Sequence, residues 1–311
     1  MDEIGRRLRR IRYLAFALSA LSLLIVLVSA YIRLRGAGLG CSPWPDCYGQ
    51  ILTGGPHPQN SGARILHRSV ASLALVLGFV LVWQCRRPSR IEAPTRSASA
   101  LLVLMIALTL VGIFSADPHR VWAGTFNILG GALLLLFSWR TALAASGAVS
   151  SHYPRRRMLL LHAGLGLLAF TLVLGALIGA RYAAPACPSL PGCGDLLWPG
   201  GGWSALNPVA TIAHPAMLGD AGGAVLHLLH RWSALATVLL LGSGVLQAMA
   251  LPAARTGAGV AALLLLVQVA LGVMTVLSGF DLAMAVAHSL CAVALLTAGM
   301  HLLVKLKNSP A

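Results

Sequence analysis

The sequence predicts an all-α membrane protein: eight transmembrane helices in two tandem four-helix bundles, with both termini on the cytoplasmic side. Three observations carry this reading. The 311 residues are 58% hydrophobic and 10% charged, with a mean hydropathy of +0.82, a balance foreign to soluble globular domains. The apolar residues fall into runs of about 20, the length that crosses a bilayer. The second half of the chain also repeats the order of the first: apolar run, cysteine loop, run opening with His-Arg, then two more runs.

The first apolar segment covers roughly 11–33. It is too long for a cleavable signal and lacks a small-residue cleavage site. Segments at 67–85, 98–115 and 120–140 complete the first half. Segments at 158–180, 223–250, 257–278 and 282–304 make the second. The domain division expected is 1–145 and 146–311, one bundle each.

Charge sets the orientation. Arg6, Arg7, Arg9, Arg10 and Arg12 precede the first segment. Arg86, Arg87, Arg90 and Arg96 lie between the second and third, and Arg140, Arg155, Arg156 and Arg157 between the fourth and fifth. Arg255 separates the sixth and seventh, and Lys305 and Lys307 follow the eighth. All fall on one side, the positive-inside pattern of a bacterial-type inner membrane. The net charge of +15 is explained by this placement. Nucleic-acid binding is excluded as its cause, because the basic residues do not cover an aromatic-studded soluble face.

The other side carries two long connections, about 34–66 and 181–222. Cys41 and Cys47 open one, Cys187 and Cys193 the other, with five residues inside each pair. That side is extracytoplasmic, where disulfides persist. A metal site is the alternative, but C-x5-C is not a usual zinc spacing and neither pair encloses a histidine. Cys85 and Cys291 read as packing residues. His67-Arg68 matches His230-Arg231 at an offset of 163, and Cys41 matches Cys187 at 146. A four-helix repeat preserves topology, so the two bundles are related by an axis along the membrane normal.

An imidazole inside a bilayer is expensive unless it faces the protein interior with a partner. His230 and His288 lie at matching depths of the sixth and eighth segments. Two such imidazoles facing each other hold a haem iron from both sides. The same construction in the first half gives His67, and an offset of 161 from His288 gives Asn127. The amide is a poor iron ligand, so that site keeps an open position where dioxygen binds. Arg68 and Arg231 stand beside the site histidines and suit the propionates of haem. Snorkelling to the interface is the alternative for both. His227, one turn before His230, is an alternative ligand. His57, His119, His152 and His214 fall in connections and read as solvated. His162 and His301 read as polar core or interface residues.

These features resemble the haem A synthase family. The resemblance rests on the eight-segment plan, both C-x5-C loops, the paired His-Arg openings, the run Leu271-Gly272-Val273-Met274-Thr275-Val276-Leu277, and Arg35-Gly36-Ala37-Gly38-Leu39-Gly40-Cys41-Ser42-Pro43-Trp44-Pro45-Asp46-Cys47-Tyr48-Gly49-Gln50. It spans nearly the whole chain. The resemblance implies an oxidoreductase that oxidises the C8 methyl of haem O to a formyl group, giving haem A for cytochrome c oxidase. It implies haem b on His230 and His288, substrate haem O on His67, and a disulfide between Cys41 and Cys47. Dioxygen, an electron donor, haem O synthase, oxidase assembly proteins and membrane lipid are the implied partners. Two positions depart from the family pattern: Asn127 stands in place of its second N-terminal histidine, and Arg64 in place of a glutamate three residues before the first. The only glutamates are Glu3 and Glu92. A non-catalytic haem b protein, serving as a membrane cytochrome or an oxidase assembly factor, is therefore the second hypothesis. A transporter is the third, disfavoured because no helix carries a central break with charged residues at mid-depth.

Overall fold

The computed structural model describes residues 3–55, 60–114, 117–146 and 158–307. His57, His152, Arg155, Arg156 and Arg157 lie outside them. Eight long helices run through the described residues: α1 (Glu3–Gly36), α2 (Ser61–Arg86), α3 (Glu92–Phe114), α4 (Val121–Ala144), α5 (Leu159–Ala180), α6 (Ala221–Met249), α7 (Arg255–Leu277) and α8 (Leu282–Lys307). All eight are long and apolar enough to span a bilayer. Among the described residues there are no strands, only isolated bridges at Arg120–Thr211 and Cys193–Leu196. Helices suit this sequence because a backbone in hydrocarbon must satisfy its own N–H and C=O groups.

The largest departure from the predicted boundaries is at α1, which begins at Glu3, eight residues before its apolar run. The basic turn stays helical because Arg7 is buried. Its guanidinium donates to the carbonyls of Gln84 (2.7 Å) and Ser89 (2.6 Å), tying α1 to the α2–α3 turn. α2 likewise starts at Ser61, so His67 lies well inside the helix rather than at its opening.

Within the first four helices the neighbours are α1–α2, α2–α3, α3–α4 and α4–α1. Within the last four they are α5–α6, α6–α7, α7–α8 and α8–α5. Each set closes on its own apolar core. Ile11, Leu18, Leu81 and Leu101 anchor the first, and Leu161, Leu241, Leu295 and Leu302 the second. Close approach in the second depends on Gly164 and Gly244. A Cβ on Gly164 would lie 2.5 Å from the Leu241 main chain, and one on Gly244 would lie 2.8 Å from that of Leu161. Hydroxyls bridge helices inside each core: Ser19 with Ser138 (3.1 Å), Thr141 with Ser97 (2.9 Å), Thr171 with Ser233 (2.9 Å). The two sets meet through α1, α4, α5 and α8. There the Trp139 Nε1–H donates to His301 Nδ1 (3.1 Å).

The two long connections cross over. Residues from the first, Tyr48 and Trp44, pack on Tyr182 and Phe280 of the second half. The second reaches back to the α3–α4 turn, where the Ile212 N–H donates to the His119 carbonyl (3.0 Å) and His119 Nδ1 to the Ile212 carbonyl (2.6 Å). His119 is therefore a tether and not the solvated residue that its position in a connection suggests. His214 is exposed, as expected. Each cysteine pair is bonded, with Cα atoms 6.0 Å apart for Cys41–Cys47 and 4.8 Å for Cys187–Cys193. Cys85 and Cys291 are free and buried.

Candidate functional site

The caps of α6 and α8 fix the faces that carry the histidines. The Asp220 carboxylate accepts from the Gly223 N–H (2.6 Å) and opens α6. The Asp281 carboxylate accepts from the Met284 N–H (3.1 Å) at the start of α8. α6 and α8 stand across the ring from each other, separated by α5 on one side and α7 on the other. His230 and His288 meet in the middle, with ring centroids 6.3 Å apart and planes at 69°.

Each ring is held by a neighbouring helix. His230 Nδ1–H donates to the Thr171 carbonyl on α5 (3.1 Å). A carbonyl only accepts, so the proton is on Nδ1 and the Nε2 lone pair is free. The Gln268 amide nitrogen on α7 lies 3.1 Å from His288 Nδ1 and 3.3 Å from Nε2. Its own oxygen is buried without a hydrogen-bond partner among the described residues. Glycines occupy the two remaining walls. A Cβ on Gly175 of α5 would lie 3.3 Å from His230 Cε1, and one on Gly272 of α7 would lie 3.1 Å from His288 Cε1. The result is a partly buried imidazole pair with side-chain-free backbone on both flanking helices.

His227 is buried and turned away. Its Nε2–H donates to the Ala183 carbonyl (2.8 Å), and its ring packs on Phe280 at 6.1 Å. Its ring is thus committed to the roof of the bundle. Arg231 points into the second cysteine loop, where its guanidinium donates to the carbonyls of Cys187 (3.0 Å), Pro191 (3.1 Å) and Gly192 (2.8 Å). It clamps that loop.

In the first bundle His67 on α2 is partly buried, while Arg64, Arg68 and Asn127 are exposed. α2 and α4 stand across that ring, as α6 and α8 do in the other. An apolar cleft of about 360 Å³ opens beside this face between α1, α2 and α8, lined by Leu27, Tyr31, Ala63, Leu66 and Val286 among others.

The roof above the histidine pair holds polar groups that the sequence reading did not single out. Burial pushes the Tyr48 phenol above its ordinary range, and the charge of Arg33 pulls it back. Tyr182 is raised by burial in the same way. Burial lowers Arg181, whose guanidinium donates to the carbonyls of Ser204 (3.3 Å) and Asn207 (2.9 Å). Asp117, on the surface, is held below the usual carboxylate range by the His119 N–H. Gln268 was findable: a lone amide in the middle of an apolar segment is a functional signal. Thr171, Gly175 and Gly272 carry no such mark, because hydroxyls and glycines are common in membrane helices.

Eight apolar helices, four of which enclose an imidazole pair, define a multi-pass membrane protein with a polar site in its bundle core. The cytochrome oxidase assembly protein family (COX15-CtaA) matches residues 118–300, which include α4 to α7 and both facing histidines. The chain belongs to this family. It is 27% identical over 307 residues to a heme A synthase of Shewanella oneidensis, spanning 86% of this chain and 88% of that one. To a heme A synthase of Rhizorhabdus wittichii it is 34% identical over 149 residues, 47% of this chain and 40% of the other. A shorter match, 29% over 93 residues, is to a protoheme IX farnesyltransferase of Thermus thermophilus, covering 29% of this chain and 15% of that protein.

Proposed function

We propose that the chain is a haem-binding membrane oxidoreductase of the haem A synthase type, in which His230 and His288 would hold a haem b. The facing imidazole pair is the observation that carries this reading. A metal–imidazole bond is about 2 Å, so two imidazoles that would hold one iron between them stand with ring centroids about 6 Å apart. The observed 6.3 Å fits. Gly175 and Gly272 let the two imidazole edges lie close against α5 and α7, which would fix both rings for holding such a group.

The chain's own groups have definite tasks in this reading. The Thr171 carbonyl accepts a hydrogen bond from His230 Nδ1–H, which leaves Nε2 free to hold the iron. Gln268 of α7 lies against His288, and with its unpartnered oxygen turned to Nδ1–H it would free the His288 Nε2 lone pair. Thr171 is itself held by Ser233 and Thr237. When bound, haem b supplies one-electron storage and relay.

The reaction we propose is oxidation of the C8 methyl of haem O to a formyl group, giving haem A for cytochrome c oxidase, with dioxygen as oxidant and an unidentified electron donor. Substrate haem O is assigned to the first bundle, with His67 as the iron ligand and Asn127 and Arg64 flanking it. Arg68, exposed on α2 beside His67, is the matching propionate contact. The apolar cleft beside Ala63 and Leu66 suits a lipophilic substrate. We assign residues 1–145 and 146–311 to a tandem pair of bundles, a reading supported by the equivalent helix adjacencies in each. Both termini are assigned to the cytoplasm of a bacterial-type cell. The names of the relatives support haem O synthase and oxidase assembly proteins as partners in the same membrane.

A second reading is a haem b protein without synthase activity. It is favoured by Asn127 and Arg64, which are both exposed and offer neither a second imidazole nor a carboxylate. Substitution separates the two sites. His230→Ala or His288→Ala removes the low-spin haem spectrum from the purified protein if the central assignment holds. Full retention of that spectrum in both variants refutes it.

A further inference from the structure

We infer that Arg33 of α1 binds a carboxylate at the outer edge of the flat group held between His230 and His288, across the boundary between the bundles. The inference rests on the haem reading above and names a contact that reading lacks.

Arg33 lies three residues before the end of α1 and is partly buried. Its side chain leaves its own bundle for α5. A Cβ on Gly179 would lie 2.7 Å from an Arg33 guanidinium nitrogen, so that glycine is the gap through which it reaches. Gly179 is one helical turn beyond Gly175, the residue against His230. At 1.5 Å per residue the guanidinium stands about 6 Å outward from the imidazole layer, on the same face of α5. The phenols of Tyr48 and Tyr182 are its electrostatic neighbours. Among the described residues, no carboxylate forms an ion pair with it and none of the hydrogen bonds involves its guanidinium.

A partly buried guanidinium with no anion is an unfinished interaction. An anion that enters the roof from the site below would complete it. A tetrapyrrole with edge carboxylates, standing upright between α6 and α8, brings such a group to that height. Arginine pairs with a carboxylate bidentately. Arg231, the residue beside His230 in sequence, is already occupied by three loop carbonyls. The internal repeat adds a reason for a single arginine. At the offset of 146 that relates Cys41 to Cys187, Arg33 corresponds to Gly179 (33 + 146 = 179). One repeat carries the guanidinium, and the other carries the space it fills.

The full chain, produced without haem and purified in detergent, is titrated with haemin and with haemin dimethyl ester, whose edge carboxylates are neutral. The readout is affinity from the low-spin spectrum. The parent protein is expected to prefer haemin by about tenfold or more, the scale of a charged hydrogen bond. Arg33→Gln should abolish most of that preference while still binding the ester, and Arg33→Lys should restore part of it. The ester titration shows whether each variant is folded and keeps its histidine site. Equal preference in parent and Arg33→Gln overturns the proposal. So does a preference that survives Arg33→Gln and disappears in Arg231→Gln. A parent that gives no low-spin spectrum with either ligand fails at the histidine pair, beneath this inference.

Discussion

Replacing Gly272 separates the fit of a flat group from the stability of the fold. A Cβ at this position would lie 3.1 Å from His288 Cε1, several tenths of an ångström inside ordinary contact. Gly272→Ala therefore pushes the imidazole away from its present line. Gly272→Leu adds three more heavy atoms in the wall against which His288 rests. Overpacking of this kind costs about 1–3 kcal/mol, which is about 5- to 150-fold in affinity when it falls on the bound state. The helix itself responds in the opposite sense, since alanine or leucine in place of glycine favours a helix by up to about 1 kcal/mol. The expected outcome is a haem-free protein that still unfolds cooperatively, with haem affinity reduced tenfold or more in Gly272→Leu. Haem titration and thermal melting of the same preparation make the assay. Unchanged haem affinity in Gly272→Leu would refute the role of His288, held against α7, in holding the haem.

Other substitutions probe the supporting structure. Arg231→Met removes three charged hydrogen bonds to the 187–193 loop. Faster hydrogen exchange is expected there, and exchange at the parent rate would contradict the clamp. Gly244→Ala drives a methyl group against the Leu161 main chain at 2.8 Å. It should destabilise the α5–α6 pair by about 1–3 kcal/mol, whereas a melt at or above the parent temperature would argue against that packing. Trp139→Phe deletes the hydrogen bond to His301 while keeping an aromatic ring. A loss of about 1 kcal/mol is expected, and His301→Ala should add little to it in a double-mutant cycle. Full additivity would show that the two residues do not act as a pair.

The eight helices were legible because hydrocarbon leaves a chain few choices: length, apolarity and the absence of charge announce each span. The boundary of α1 was missed by eight residues because hydropathy reads the lipid-facing stretch and not the helix. Arg7 continues as helix only because the α2–α3 turn supplies carbonyls for it. The imidazole pair was legible from the rarity of histidine inside an apolar run. Its walls were not, since nothing local distinguishes Gly175 and Gly272 from packing glycines. Arg231 shows the limit of proximity in sequence: adjacent to His230, it is drawn off by the fold of a loop some forty residues earlier. Arg33 shows the converse, because only the tertiary arrangement brings its guanidinium against Gly179 of α5.

The central claim is tested most directly by the haems recovered from membranes. The protein is expressed in a host that makes haem O and no haem A, and the extracted haems are separated by chromatography and identified by mass. The account predicts haem A or its hydroxylated precursor, together with protein-bound haem b that depends on His230 and His288. Haem O left unconverted beside bound haem b, in a host where a known synthase works, would contradict the proposed activity and leave the non-catalytic haem b protein. A protein that carries no haem at all would contradict the account at the histidine pair itself.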